Sequence, residues 1–190
     1  MQVITAKNPL PFITGTICAH HCMDKCMRNH YECPVNIRGT KLQAAEGAFE
    51  ELLAITEMSR EGEKVAIIGG GPAGLAAAYH AQKHGLQATV FEKRETLGGI
   101  VRNVIPGFRI GDDAIDNDIA LIKKTGAEFV MGKEAPDVKE LKAMGFDYIV
   151  LACGAEKKGR LNIEGSVMNV IDFLYAFKNG GELKLGRNVA

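Results

Sequence analysis

The chain has 190 residues, 46% of them hydrophobic, and its 23 Lys and Arg balance 23 Asp and Glu. That length admits one domain and part of another around a real core, and the lack of net charge gives no reason to expect a nucleic acid or an anionic membrane as partner. The opening MQVITAKNPLPF lacks the basic start and apolar core of a signal peptide, and no segment approaches the roughly 20 apolar residues of a membrane span; a soluble cytoplasmic protein is expected.

Residues 1–17 contain Pro9, Pro11 and Gly15 and read as extended or turning backbone. Cys18, Cys22, Cys26 and Cys33 follow in C-x3-C-x3-C-x6-C spacing, while Cys153 stands alone. In a chain without a secretory start, such a group points to metal rather than to disulfides. Set on one helix, Cys18, Cys22 and Cys26 would share a face and offer thiolates to an iron–sulfur cluster. Zinc is the competing reading, because His20, His21 and His30 lie among the thiols, and reduced, unliganded thiols are the plain alternative. Residues 37–60 read as one long helix, with Leu42, Ala45, Phe49, Leu52, Leu53 and Ile55 at near-helical spacing. The polar run SREGEK at 59–64 marks a boundary, so 1–60 form a helical cysteine-rich segment and 61–185 an α/β domain.

That domain is organised around Val65 to Glu92. An apolar run, Val65 to Ile68, has the length of a buried parallel strand. Gly69, Gly71 and Gly74 then fall in G-x-G-x-x-G spacing, Leu75 to His84 reads as a helix, and Ala88 to Phe91 as a second strand ending on an acid, Glu92. In this order the glycines serve a tight turn, backbone approach to a pyrophosphate and close helix–strand packing, and the acid lies near the offset expected for a ribose ligand. The anion would sit at the helix N-terminus, where unpaired N–H groups and the helix dipole favour negative charge. Spacing alone does not separate NAD from FAD.

KRETLGGIVRNVIPGFRIGDD, from Lys93 to Asp113, shows little periodicity and reads as an ordered loop able to approach a flat ring. Arg102 and Arg109 are candidates for phosphate or partner contacts, or plain surface arginines. Asp112 and Asp113 are expected to cap a helix through Thr125, with Ile115, Ile119 and Ile122 on its apolar face. A strand at Glu128–Met131, a helix at Asp137–Met144, a strand at Asp147–Cys153 and a helix at Val170–Lys178 complete the pattern. Gly154 would close a strand end where open α/β sheets bind ligands.

NPLPFITGTICAHHCMDKC, NHYECPVNIRGTK, VAIIGGGPAGLAAA, FEKRETLGG, IPGFRI and DYIVLACGA together resemble one family. It contains the glutamate synthase small subunit and the N-terminal part of dihydropyrimidine dehydrogenase, and the likeness is nearest to the iron–sulfur flavoprotein subunit attributed to bacterial selenate reductases. The resemblance implies a Rossmann-like FAD domain of the two-dinucleotide-binding-domain type. In it Gly69, Gly71, Pro72, Ala73 and Gly74 hold the pyrophosphate, Glu92 the adenosine ribose, and Lys93 and Arg94 flank the adenosine. Gly99, Ile100, Arg102 and Ile105 line the flavin, with Ala152, Cys153 and Gly154 at the strand end. Cys18, Cys22 and Cys26 match cluster cysteines of the family, and Cys33 is a further candidate. NAD(P)H would be the electron donor, and electrons would leave through [4Fe–4S] clusters to the rest of a parent polypeptide or another subunit.

The chain also departs from the pattern. It has no cluster cysteines ahead of NPLP, and Lys41 stands where pyrimidine dehydrogenases place a glutamine ligand. LGRNVA, at 185–190, resembles the first strand of an NAD(P)H domain, whose start is expected at 186–190, and the returning FAD segment is missing, so a piece of a longer polypeptide, inactive alone, is expected.

Overall fold

The computed structural model describes residues 2–55, 61–155, 159, 167–183 and 185–187. The N-terminal part is helical: α1 Gln2–Thr5, α2 Pro11–Ile17, α3 His21–Asp24, a 3-10 turn Met27–His30, α4 Ile37–Gly47 and α5 Phe49–Ile55. The extended backbone expected before Cys18 is therefore corrected. Pro11 opens α2 at its first position, where its fixed φ suits a helix and its missing N–H would have had no helical partner. The single long helix is likewise two, because Ala48 leaves helical geometry at φ −118°. The part of that expectation at 56–60 lies outside the described residues.

The α/β part follows as β1 Lys64–Ile68, α6 Pro72–Lys83, β2 Gln87–Glu92, α7 Gly99–Asn103, α8 Asp112–Lys124, β3 Glu128–Met131, α9 Val138–Ala143, β4 Tyr148–Leu151 and α10 Val170–Lys178. The four strands make one parallel sheet in the order β3-β2-β1-β4, with Val65 opposite both Ala88 and Tyr148. β1 therefore lies inside the sheet. Val65, Ala66 and Ile67 are buried, as a continuous apolar run requires when both faces are covered. One face packs Val65, Ile67 and Val90 against Leu75 and Ala78 of α6 and Ile115, Ile119 and Ile122 of α8. Ala66 and Phe91 meet Leu141 of α9 on the other, where the Phe91 and Phe146 rings stand edge to face at 5.8 Å.

Helix α8 has a second neighbour. Phe12 of α2, Ala45 of α4 and Leu52 of α5 bury against its Leu121, and the Phe12 and Phe49 rings lock edge to face at 5.3 Å. The helices around the cysteines are thus carried on the back of the α/β domain. Gly111 is the N-cap of α8; Asp112 and Asp113, expected as caps, occupy its first turn, where their charge complements the helix dipole. Asp137 does cap α9, through a capping box with Glu140. Among the described residues no helix is long and apolar enough to cross a membrane. Residues 185–187 form no strand, and the rest of the expected strand, 188–190, lies outside the described residues.

Candidate functional site

The glycine loop joins β1 to α6 at the C-terminal edge of the sheet. Gly69 has φ +110°, and a Cβ there would lie 2.4 Å from the Ala152 carbonyl oxygen. Ala152 in turn donates its N–H to the Ile68 carbonyl at 2.8 Å, so the end of β4 is pressed against the turn. A Cβ on Gly74 would stand 1.8 Å from the Gly69 carbonyl oxygen, which is why helix and strand approach so closely only with glycine there. Gly71 differs from both. Its φ is −78°, and among the described residues a Cβ would meet only the Gly99 Cα, at 3.8 Å. Space therefore lies open at the position where the fingerprint needs backbone to approach a ligand. Pro72 begins α6, Ala73 is exposed, and the first-turn amides point out of the helix without intrahelical acceptors.

A second glycine loop closes on the first. Gly98 donates its N–H to the Gly70 carbonyl at 2.8 Å, and Gly99, at φ +54°, faces Gly71 so closely that a Cβ would reach its Cα at 2.8 Å. Leu97 is buried beneath Gly70. Gly70 and Leu97 escaped the sequence reading, although the GGG and LGG runs were the available signal. The stretch expected to be loop contains α7, a short helix that begins at Gly99.

Glu92 is 6% exposed and turned towards the first loop. One carboxylate oxygen accepts from the Gly70 N–H at 2.7 Å, the other from the Arg94 N–H at 2.9 Å. The acid thus braces the cradle from below and keeps lone pairs for a further donor. Lys93 is exposed, while Arg94 lays its guanidinium over the Tyr175 ring of α10 at 5.9 Å. Ile100 is exposed and Ile105 half-buried, its carbonyl accepting from the Lys178 ammonium at 2.7 Å. Arg102 faces inward to α8: its Nε donates to the Leu97 carbonyl at 2.7 Å, and its guanidinium pairs with Asp112 and Asp116. Arg109 is exposed, and Cys153 and Gly154 are exposed beyond β4.

The cysteine segment is arranged differently from the single helix considered above. Cys18 ends α2 with ψ 133°, Cys22 lies in α3, Cys26 precedes the 3-10 turn, and Cys33 follows it. His20 breaks the helical path with a left-handed φ of 47°, and its Nδ1 is buried without a hydrogen-bond partner. The Cys26 thiol is held below its usual range, chiefly by hydrogen bonds from the Val35 and Arg28 backbone. Cys18, Cys22 and Cys33 are exposed, and among the described residues no three His, Cys, Asp or Glu side chains gather as a metal site. The donor types suit a cluster or zinc. Their placement here does not form a ready cage for either.

Parallel strands, a glycine turn and an acid at the end of β2 define a Rossmann-type nucleotide-binding domain. A family profile described as "NAD(P)-binding Rossmann-like domain" matches residues 67–138. The chain is 38% identical over all of its length to 19% of "Putative oxidoreductase YgfK" of Escherichia coli (strain K12). It is 34% identical over 87% of its length to 35% of the glutamate synthase [NADPH] small chain of Mycobacterium tuberculosis (strain CDC 1551 / Oshkosh). Against the NADPH-Fe(3+) oxidoreductase subunit beta of Geobacter sulfurreducens (strain DL-1 / KN400) it is 30% identical over its full length and 30% of the relative's. Among solved structures, a 2-naphthoyl-CoA reductase in complex with 2-naphthoyl-CoA matches 70% of this chain and 20% of its own at 30% identity and a TM-score of 0.53. The chain is thus similar to glutamate synthase small-chain-like oxidoreductases, and it spans 19 to 35% of the length of these curated relatives.

Proposed function

We propose that the chain is the FAD-binding part of a cytoplasmic, NAD(P)H-dependent oxidoreductase. The observation that carries this reading is the pair of facing glycine loops: among the described residues, chain neighbours aside, no side chain lies within 4 Å of where a Gly71 Cβ would stand, a position that borders the N-terminus of α6 and is braced by buried Glu92. A pyrophosphate fits such a cradle, since amides and the helix dipole meet it without an intervening Cβ. In the proposed complex, Gly69, Gly71, Ala73 and Gly74 surround the pyrophosphate with Pro72 fixing the helix start. Glu92 accepts from ribose hydroxyls, and Lys93 and Arg94 flank the adenosine. Gly99, Ile100 and Ile105 border the ring side, with Ala152, Cys153 and Gly154 at the strand end, and Arg102 supports that border from beneath through α8. Bound FAD would accept hydride from NAD(P)H and release electrons singly, so the protein's part is binding and orientation rather than acid–base work.

Ligation of a [4Fe–4S] cluster by Cys18, Cys22, Cys26 and Cys33 belongs to the proposal as a rearranged state, because these thiols do not converge in the structure. The acceptor would be the rest of a longer polypeptide or another subunit. A second reading, NAD(P) in the same cradle, is favoured by the profile match over residues 67–138. Analysis of the purified protein for flavin, NAD(P), iron, sulfide and zinc separates these readings. Flavin supports the proposal, bound NAD(P) without flavin supports the second, and zinc with neither flavin nor iron contradicts the first.

A further inference from the structure

We infer that Asp118 is a positioning residue: by accepting the Phe12 and Ile13 backbone N–H groups it fixes where the cysteine segment sits on the nucleotide-binding domain. Asp118 lies on the apolar side of α8, one residue before Ile119, and is 0% exposed. Its two oxygens accept from Phe12 at 3.1 Å and from Ile13 at 2.7 Å, across more than a hundred residues of chain. These are first-turn amides of α2, which the helix itself does not satisfy, and α2 ends at Cys18. The same α8 holds Arg102, and with it the outer glycine loop, through Asp112 and Asp116. One helix thus references both the thiols and the cradle to a common frame.

A buried carboxylate is a costly means of holding two apolar helices together, since Phe12, Ala45, Leu52 and Leu121 already pack there. What Asp118 adds is direction: two fixed acceptors accept one rotation and one height of α2. Burial pushes its carboxyl up to about 7, against the opposing pull of the two hydrogen bonds. Among the described residues no charged side chain contributes. Helix α2 carries none. Apart from Tyr79 of α6, whose ring is buried in the apolar core, the ionisable groups of the elements packed on α8 or α2 lie at or near the surface or are paired: Arg38, Lys41 and Glu46 of α4, Glu50 and Glu51 of α5, His80 and Lys83 of α6, Arg102 of α7, and Asp112, Asp113, Asp116, Lys123 and Lys124 of α8 itself.

Residue-resolved hydrogen exchange of the whole chain tests the assignment without any cofactor. Asp118→Asn keeps the shape and one acceptor but sets an NH2 against an N–H. Exchange at Phe12 and Ile13 is expected to quicken by about tenfold or more, and exchange of the Cys18 N–H, bonded to the Thr14 carbonyl at the end of α2, to quicken with it, while the amides of β1 and β2 keep their protection. The unmodified protein gives a second reading. Asp118 is protonated more readily when α2 is docked than when it is released, so docking is strongest at low pH and weakens as pH rises towards 7. Protection of the two amides, corrected for intrinsic rates, should fall by up to about tenfold per pH unit and level off above 7, and the Asn variant should lack this slope. Unchanged exchange in the variant, an equal loss of protection across β1 and β2, or no slope in the unmodified protein would each overturn the inference. If the Asn variant does not fold, Asp118→Glu, which keeps the carboxylate but displaces its two oxygens from the Phe12 and Ile13 N–H groups, gives the same exchange reading.

Discussion

Two glycines three residues apart should fail in different ways when given a methyl group. At Gly74 the new Cβ would stand 1.8 Å from the Gly69 carbonyl oxygen and 3.0 Å from its carbon, both backbone atoms that cannot turn aside. Reaching tolerable contact requires α6 to shift against β1 by roughly an ångström, and overpacking of this kind costs about 1–3 kcal/mol or more. With a urea slope of about 1–3 kcal/mol per molar, the Gly74→Ala midpoint should fall by roughly 1 M. At Gly71 the Cβ meets, among the described residues, only the Gly99 Cα at 3.8 Å, and φ −78° suits alanine. A less flexible unfolded chain stabilises by about 0.4–1 kcal/mol, offsetting a poorer N-cap. Gly71→Ala should therefore unfold within about 0.5 kcal/mol of the parent protein. Its methyl group, however, enters the space reserved for the pyrophosphate, and FAD affinity should drop about tenfold or more, equivalent to about 1.4 kcal/mol. Urea titration and flavin-fluorescence titration of both variants give the answer. Equal loss of stability at the two positions, or full FAD affinity in Gly71→Ala, would refute the reasoning.

Glu92→Gln preserves shape but points an NH2 at the N–H of Gly70 or Arg94; a loss of about 1–3 kcal/mol in urea titration is expected. Gly99→Ala combines a left-handed φ of +54° with a Cβ 2.8 Å from the Gly71 Cα. It should cost about 2 kcal/mol and weaken FAD binding by separating the two loops. His20→Gly removes left-handed strain at φ 47°. Relief of about 1–2 kcal/mol exceeds the entropy cost of glycine, so Tm should hold or rise, whereas loss of bound metal in this variant would identify His20 as a ligand.

The α/β core was readable because its punctuation is local. Gly69, Gly71 and Gly74 end β1 and start α6, Gly85 ends that helix, and Val65–Ile67 is apolar without alternation because both faces of the sheet are covered. Helix α10 was legible in the same way, bounded by Asn169 as N-cap and by Asn179-Gly180. Residues 11–17 misled, since Pro11 reads equally as a turn residue and as a helix start; only the burial of Phe12 and Ile13 against α8 decides. The split between α4 and α5 at Ala48 is marked in the sequence by Gly47 alone, a single glycine outweighed by the apolar period running through Leu42, Ala45, Phe49 and Leu52. The cysteine spacing fitted one helix, but His20 and the end of α2 at Cys18 are set by packing that spacing does not encode. Asp118 did leave a trace: an acid beside Ile119 and between Ile115 and Ile122, within an apolar stripe, is a position where a charge demands a partner. That partner, an amide pair more than a hundred residues away, is visible only in the fold.

Calorimetric titration of the nucleotide-free protein with FAD, and separately with NADH and NADPH, tests the central claim most directly. Saturable one-to-one FAD binding is expected, weakened by Gly71→Ala, with both nicotinamide dinucleotides binding more weakly at the same cradle. Saturable binding of NADH or NADPH with no heat from FAD would contradict the claim.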